Sequence, residues 1–242
     1  GFRWFEKGSQ QLYSSDWPGN VSEIEQRVSD GQGLLANNGA SRANMYSGDA
    51  SETLLTVSNI GAGERNTVEY LLFFANPYML ARTAAIFVSH LLEELVEGFL
   101  QQARGVRPRI NRFGYYPFIR ALATAVLREL GIFALVGDMI RSLPSMYATF
   151  VGYDEVAHHS GVASKDALRV LKGLDKMFEW LESLGEMTAR PYKFVVLSDH
   201  GQSNGATFRQ RTGKSLEEVV GELVRLETIS TPSEDETWLR AN

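Results

Sequence analysis

Two apolar runs on either side of one helical segment limit most strongly what this chain can fold into. The first, MYATFVGY, ends at Asp154, and the second, KFVVLSDHG, carries Phe-Val-Val-Leu before Asp199. Short continuous apolar runs of this kind are typical of strands that are buried on both faces of a parallel sheet. We therefore expect a strand–helix–strand unit in this part of the chain.

The segment between the two runs, residues 164–184, has the pattern of a helix with one apolar face. Its leucine and phenylalanine residues recur every three or four positions: Leu168, Leu171, Leu174, Phe178 and Leu181. Ser164 is placed to cap the first turn of this helix through its hydroxyl oxygen.

The rest of the chain divides by pattern into a polar part and a helical part. In residues 1–66 we expect a helix over 22–28, with Ser22 and Glu25 as a capping box, and a strand over 53–58. Residues 67–144 predict helices at about 67–75, 77–103 and 115–142, and no strand. The predicted fold is therefore α/β, a mostly parallel sheet flanked by helices: residues 1–66 and 145–242 form the core, and residues 67–144 form a helical insertion.

Composition excludes several kinds of protein. The chain has 242 residues, of which 44% are hydrophobic, so it can bury one sizeable core in one or two domains. The net charge is −5 with acids and bases mixed, so no basic face for nucleic acid is indicated. The chain has no cysteine, which excludes disulfides, zinc–thiolate sites and thiol nucleophiles but leaves the cellular compartment open. No signal peptide is visible.

Three of the four histidines lie beside acidic residues: His158, His159 and His200. Asp154 and the pair Asp199-His200 each follow a predicted strand, and sites in open α/β sheets form outside the carboxyl ends of strands. A lone Asp-His pair is more often a turn cap beside a surface histidine. Two such pairs at neighbouring strand ends favour a metal site, because carboxylate and imidazole suit zinc, manganese or iron.

Asp154 and His158 are spaced i, i+4, which places both on one side of a helical turn. His159 then points elsewhere. The remaining histidine, His90, lies in an apolar helical pattern, and we interpret it as structural.

The loop GASRANMYSGDA offers Ser41 and Ser47 as hydroxyl nucleophiles and Arg42 and Asn44 as phosphate contacts. We favour the alternative, in which this is a tight loop that supports the sheet.

Two stretches bear on membrane contact. The apolar region 70–100 is interrupted by Arg82 and closed by glutamates, so it predicts an amphipathic or buried helix rather than a span. The basic and aromatic stretch 104–120 is suited either to anionic lipid head groups or to salt bridges with the acidic residues Glu93, Glu94 and Glu97.

The segments YDEVAHHSG, GLDKMFEWL and YKFVVLSDHGQSNGATF together resemble the alkaline phosphatase superfamily, in the branch of nucleotide pyrophosphatase/phosphodiesterases and type I phosphodiesterase-like proteins. The resemblance covers roughly residues 145–208. Two earlier stretches, FRWFEKG and GLLANNGASRANMYSGDA, resemble bacterial membrane-associated proteins of the same superfamily.

This resemblance implies a hydrolase with two divalent metal ions, zinc by expectation and manganese as the alternative, acting on a phosphomonoester or phosphodiester. One ion would be held by Asp154 and His158, and the other by Asp199 and His200. Two such ions stabilise the attacking and the leaving oxygen of an in-line displacement. His159 would contact the substrate or support a ligand.

The family's further aspartate, its nucleophile and its third metal-binding histidine have no convincing place in the sequence. The chain begins with GFRWFEKG and no methionine, so we expect an internal fragment, with the first strand and nucleophile before residue 1 and the histidine after residue 242. Such a fragment need not be active alone. The alternatives are a sulfatase or phosphomutase relative, and a non-catalytic membrane-peripheral module that keeps the fold.

Overall fold

The structure, a computed structural model, describes residues 2–60, 68–106 and 110–224. The strands are β1 (Arg3–Glu6), β2 (Gln11–Ser14), β3 (Ala40–Arg42), β4 (Glu52–Leu54) and β5 (Met146–Ala148). The first helices are α1 (Pro18–Val28), α2 (Val57–Ile60), α3 (Val68–Ala75), α4 (Pro77–Ala103) and α5 (Tyr116–Ala121). A π-helical turn (Leu122–Leu127) leads into α6 (Arg128–Ile140), followed by α7 (Gly152–Ser160), α8 (Lys165–Met187), α9 (Phe208–Thr212) and α10 (Leu216–Val224).

A small parallel sheet with the order β4-β3-β5 lies at the centre of the fold. The central strand β3 is buried along its length, and its first residue, Ala40, is in register with Glu52 of β4 and with Met146 of β5. The described residues thus combine a parallel sheet with many helices, which confirms the predicted α/β class. A separate antiparallel hairpin joins β1 and β2.

The core consists of side chains from helices that pack on this sheet. In one cluster, Leu135 and Met139 of α6 meet Leu174, Met177 and Leu181 of α8, with β5 packed against them. Helix α6 also packs on α3 in a second cluster. Because α6 contributes to both clusters, it connects the sheet with the helices of residues 68–140.

The predicted helices are largely confirmed. The helix expected over 77–103 has those bounds, and the one over 115–142 is present as α5, the π-helical turn and α6. Ser164 caps α8, since its hydroxyl oxygen accepts a hydrogen bond from the Ala167 N–H at 3.2 Å. Among the described residues of 67–144 there is no strand, although the division of the chain at 66 and 144 stays a prediction.

The predicted second strand of the strand–helix–strand unit is wrong. Residues 193–198 have no regular secondary structure, and Val195, Val196 and Leu197 are 67–77% exposed. Strand β5, the edge on which such a strand would pair, is only three residues long. An apolar run alone does not show how long the neighbouring strand is, and this is why the sequence pattern gave a wrong prediction.

Two boundaries near the N-terminus also differ from expectation. Helix α1 begins at Pro18 with no side-chain cap, and Ser22 lies inside it, so the predicted capping box is wrong. The Glu25 carboxylate instead accepts hydrogen bonds from Ser47 and Gly48. The strand expected over 53–58 ends at Leu54, because Leu55 adopts a left-handed backbone conformation with φ of 56°.

A buried ion pair holds the central strand to helix α6. The Arg42 side chain donates from Nε and Nη2 to the two carboxylate oxygens of Asp138, at 2.8 and 2.6 Å, and both residues are at most 1% exposed. Glu52 of β4 and Arg141 extend this pair towards solvent. A bidentate geometry of this kind fixes orientation as well as distance.

A second buried ionic cluster contains arginines of the stretch 104–120. Arg112 pairs with Glu94 of α4 at 2.5 Å and with Asp166 of α8 at 2.6 Å, and Arg120 also pairs with Glu94. Of the three acidic residues expected as partners, Glu94 forms salt bridges with these two arginines, and both arginines are buried. Contact of this stretch with lipid stays a prediction. Arg107 and Arg109 lie outside the described residues.

No helix among the described residues is long and apolar enough to cross a membrane. The apolar region 70–100 forms α3 and α4, so the expected helices are present, but many of their apolar side chains are exposed, among them Tyr78, Leu92 and Phe99.

We predict that Arg42→Ala lowers the free energy of unfolding by about 3–5 kcal/mol, because the buried Asp138 carboxylate loses its bidentate partner and keeps only Arg141, whose side chain is 40% exposed. The control is Arg3→Ala, since Arg3 forms an ion pair with Asp16 at the surface and should cost about 0–1 kcal/mol. Denaturant unfolding measures both. Equal losses in the two variants would contradict the importance of the buried pair.

Candidate metal centre

Helix α7 presents two of the predicted ligands on one side. Asp154 and His158 lie one turn apart, and the His158 Nε2 atom is 3.3 Å from Asp154 Oδ1. Both side chains are about half exposed, at 42% and 52%, so an ion can reach them from solvent. The i, i+4 spacing in the sequence thus predicted their proximity correctly.

His200 reaches the same carboxylate from a distant segment. Its Nε2 atom is 3.6 Å from Asp154 Oδ1, and its ring centroid is 6.3 Å from that of His158. One ligand atom from each of the three residues lies within 4.8 Å of the other two. The structure therefore brings together Asp154, His158 and His200, three of the four residues that were expected to converge, although the resemblance divides them between two ions.

The spacing of these atoms fits a single metal ion. Zinc binds histidine nitrogen and carboxylate oxygen at about 2.0–2.2 Å, which separates neighbouring ligands of a tetrahedral site by about 3.4 Å. The separations from Asp154 Oδ1, 3.3 Å to His158 and 3.6 Å to His200, lie on either side of that value. Two imidazoles and one carboxylate also form a donor set that zinc and manganese accept.

Asp199 lies outside this group of three. Its side chain is 80% exposed, and Oδ1 accepts a hydrogen bond from the His200 N–H at 2.9 Å. The same Oδ1 atom lies 3.9 Å from Nε2 of His200, so the Asp199 carboxylate is beside the group of three without being part of it. Its role as a ligand stays a prediction.

His159 points away from the cluster, as expected from its place on α7. Its ring stacks on Tyr116 with centroids 3.6 Å apart, and Nδ1 lies 3.1 Å from the Glu155 carbonyl oxygen. Burial raises the pKa of Tyr116, which keeps its ring neutral. Packing against Tyr116 is thus the role that the contacts give to His159, and a contact with substrate stays a prediction.

The two serines of the Gly-rich loop are engaged in the loop itself. Ser41 is fully buried, donates to the Tyr46 carbonyl oxygen and accepts from the Asn44 amide, while Ser47 donates to Glu25. Asn44 also donates to the carbonyl oxygen of Tyr147 in β5. The interpretation of a tight loop that supports the sheet is confirmed.

His90 has the structural role that its apolar pattern indicated. It lies on α4, and its Nδ1 atom is 2.8 Å from the Thr124 hydroxyl. Burial and the neighbouring Arg128 lower the pKa of His90, so it is neutral near pH 7.

Gln202 is a site residue that the sequence motifs did not single out. Its amide Nε2 donates a hydrogen bond to Asp154 Oδ1, the same oxygen that faces both histidines. The signal in the sequence is weak, because Gln202 is only a polar residue two positions after His200.

Helix α7 is held in place by its first residue and its buried face. Val156 and Ala157 pack against Ala167 of α8. At the start of the helix, a Cβ atom on Gly152 would lie 3.1 Å from the Thr124 methyl group in the π-helical turn. π-Helical turns often occur near functional sites, and this one determines how closely α7 can approach.

No family model matches this chain, and comparisons with curated proteins and with solved structures found no match. The resemblance to the alkaline phosphatase superfamily therefore stays a prediction.

We predict that Gly152→Ala destabilises the chain by about 1–3 kcal/mol, because the added methyl forces α7 away from Thr124. Adding Thr124→Ser should restore most of the loss, since serine keeps the hydroxyl that bonds His90 and Arg120 but lacks the methyl. Unfolding free energies of the single and double variants measure the coupling.

The control is Gly173→Ala in α8, where a new Cβ would meet no atom within 4 Å. There the substitution should stabilise the chain by about 0.5–1 kcal/mol through helix propensity. Failure of Thr124→Ser to relieve Gly152→Ala would contradict the proposed contact.

Proposed function

We propose that this chain binds a divalent metal ion through Asp154, His158 and His200 and uses it in the hydrolysis of a phosphomonoester or phosphodiester. The observation that carries the proposal is the convergence of three ligand atoms within 4.8 Å from two segments more than 40 residues apart. Helix geometry brings Asp154 and His158 together, but it does not explain the arrival of His200.

The hydrogen bonds of His200 support ligation through Nε2. Its Nδ1 atom is 3.3 Å from the Gly201 carbonyl oxygen, an acceptor that favours a proton on Nδ1. Nε2 then carries the lone pair and faces Asp154. Fixing the tautomer through the opposite ring nitrogen is the usual arrangement of metal-binding histidines.

A divalent ion held here would supply Lewis-acid polarisation of a phosphoryl oxygen and lower the pKa of a bound hydroxyl or water. The chain's own part is to hold three donors at fixed spacing on an exposed surface, where an ester can approach. With no cysteine in the chain, zinc is the ion we expect and manganese the alternative. The second ion that the resemblance implies would be held by Asp199 together with His200, whose Nε2 atom lies 3.9 Å from Asp199 Oδ1.

The choice of a phosphate ester as the substrate depends on the resemblance of residues 145–208 to the alkaline phosphatase superfamily. The same motifs occur in sulfatases and phosphomutases. A non-catalytic module would have the same fold, with or without the metal ligands, and would hydrolyse no ester. These alternatives differ in which ester, if any, the protein hydrolyses, so a substrate screen separates them.

We predict that zinc, titrated into the metal-free protein by calorimetry, binds at least 10-fold more weakly in His158→Ala and in His200→Ala, because each variant removes one ligand. The matched control is His159→Ala, which should bind zinc like the parent because that ring stacks on Tyr116. A folded parent protein that binds neither zinc nor manganese would overturn the metal site.

We further expect the protein, loaded with zinc or manganese, to hydrolyse a chromogenic phosphomonoester or phosphodiester, and Asp154→Asn to abolish this activity. Asp154 is the residue common to both short contacts of the cluster, so its loss should remove the ion and the activity together. Hydrolysis of a sulfate ester alone, or metal binding with no hydrolysis of any ester, would contradict the proposed reaction.

A further inference from the structure

The segment that carries His200 has no regular secondary structure and lies largely at the surface. Residues 193–206 form neither helix nor strand, and most of them are exposed. At the start of the segment, the Tyr192 hydroxyl donates to the Leu143 carbonyl oxygen at 2.9 Å, and Phe194 packs beside Gly185 of α8. A segment without ladder hydrogen bonds opens easily, so its far end needs its own attachment.

Gln202 provides a contact at that far end. Its amide Nε2 donates to Asp154 Oδ1 of α7, while the side chain of His200, two residues earlier, is half exposed. A hydrogen bond to a carboxylate is stronger than one between neutral groups, because the acceptor is charged. The Gln202 bond therefore holds the segment where His200 Nε2 meets Asp154.

The same bond is compatible with a metal ion on Asp154. An ionised carboxylate has about four lone-pair positions, so Oδ1 can accept the Gln202 N–H and coordinate an ion at the same time. Carboxylates that bind metals are commonly oriented by such hydrogen bonds.

We propose that Gln202 is a positioning residue that tethers the His200 segment to helix α7 and orients Asp154 for the two histidines. The tether is a property of the metal-free chain. Its effect on metal affinity rests on the proposed function.

The tether is tested without metal by a distance measurement between spin labels. The chain has no cysteine, so Lys172→Cys on α8 and Ser203→Cys beside Gln202, both exposed, give two unique labelling positions. We expect one narrow distance distribution in this labelled parent chain and a broad one after Gln202→Ala. Gln202→Glu should also broaden it, because a second carboxylate repels Asp154.

The matched control is Gln26→Ala, an exposed glutamine of α1 that bonds to Ser22 and should leave the distribution narrow. A narrow distribution that is unchanged in Gln202→Ala would overturn the tether. Because this readout follows only the segment, a general loss of stability would not imitate it while the protein stays folded.

The effect of Gln202 on metal affinity is tested in the unlabelled protein, with zinc alone as the probe. Gln202→Ala should weaken zinc binding by about 10–100-fold, the usual effect of losing a hydrogen bond to a ligand. Cobalt absorption in the visible range should also change, because His200 leaves the coordination shell. Zinc affinity and cobalt spectra like those of the parent would overturn the positioning role.

The two proposals fail in different ways. If the parent chain binds no zinc while Gln202→Ala still broadens the distances, the proposed function fails and the tether stands. If the parent binds zinc and Gln202→Ala matches it in both measurements, the inference fails and the metal site stands.

Discussion

The buried ion pair between Arg42 and Asp138 is the contact on which the sheet and its surroundings depend. It joins the central strand β3 to helix α6, and α6 packs on both apolar clusters of the core. The Arg42 carbonyl oxygen also accepts a hydrogen bond from the Thr149 N–H, just after β5. The chain that leaves β5 and leads into α7 with Asp154 and His158 is therefore held to Arg42, the residue that also carries the buried charge.

From there the site is assembled by two short-range constraints and one long-range contact. Helix α7 places Asp154 and His158 one turn apart, and Gly152 sets the distance of that helix from Thr124. His200 lies on a segment without regular secondary structure, in which Gln202 bonds to Asp154. Two of the three candidate ligands thus lie on a helix and one on a surface segment, so the proposed metal affinity should depend on the contacts that hold this segment.

The sequence predicted those parts that depend on local spacing. The i, i+4 relation of Asp154 and His158, the cap at Ser164 and the bounds of α4 follow from helix periodicity and capping chemistry. The strand predicted around Val195 was wrong, because a buried strand needs a neighbour to pair with and β5 is only three residues long. Gln202 was missed for a similar reason, since its partner lies 48 positions away and no local pattern marks it.

The most direct test of the proposed centre is X-ray absorption spectroscopy of the zinc-loaded protein, because it reports which atoms surround the ion. Ligation by Asp154, His158 and His200 predicts nitrogen and oxygen neighbours at about 2.0–2.2 Å together with the outer scattering of two imidazole rings. The imidazole signal should fall by half in His200→Ala. A shell of oxygen atoms without imidazole scattering would contradict the account, because zinc would then be held by exposed carboxylates alone.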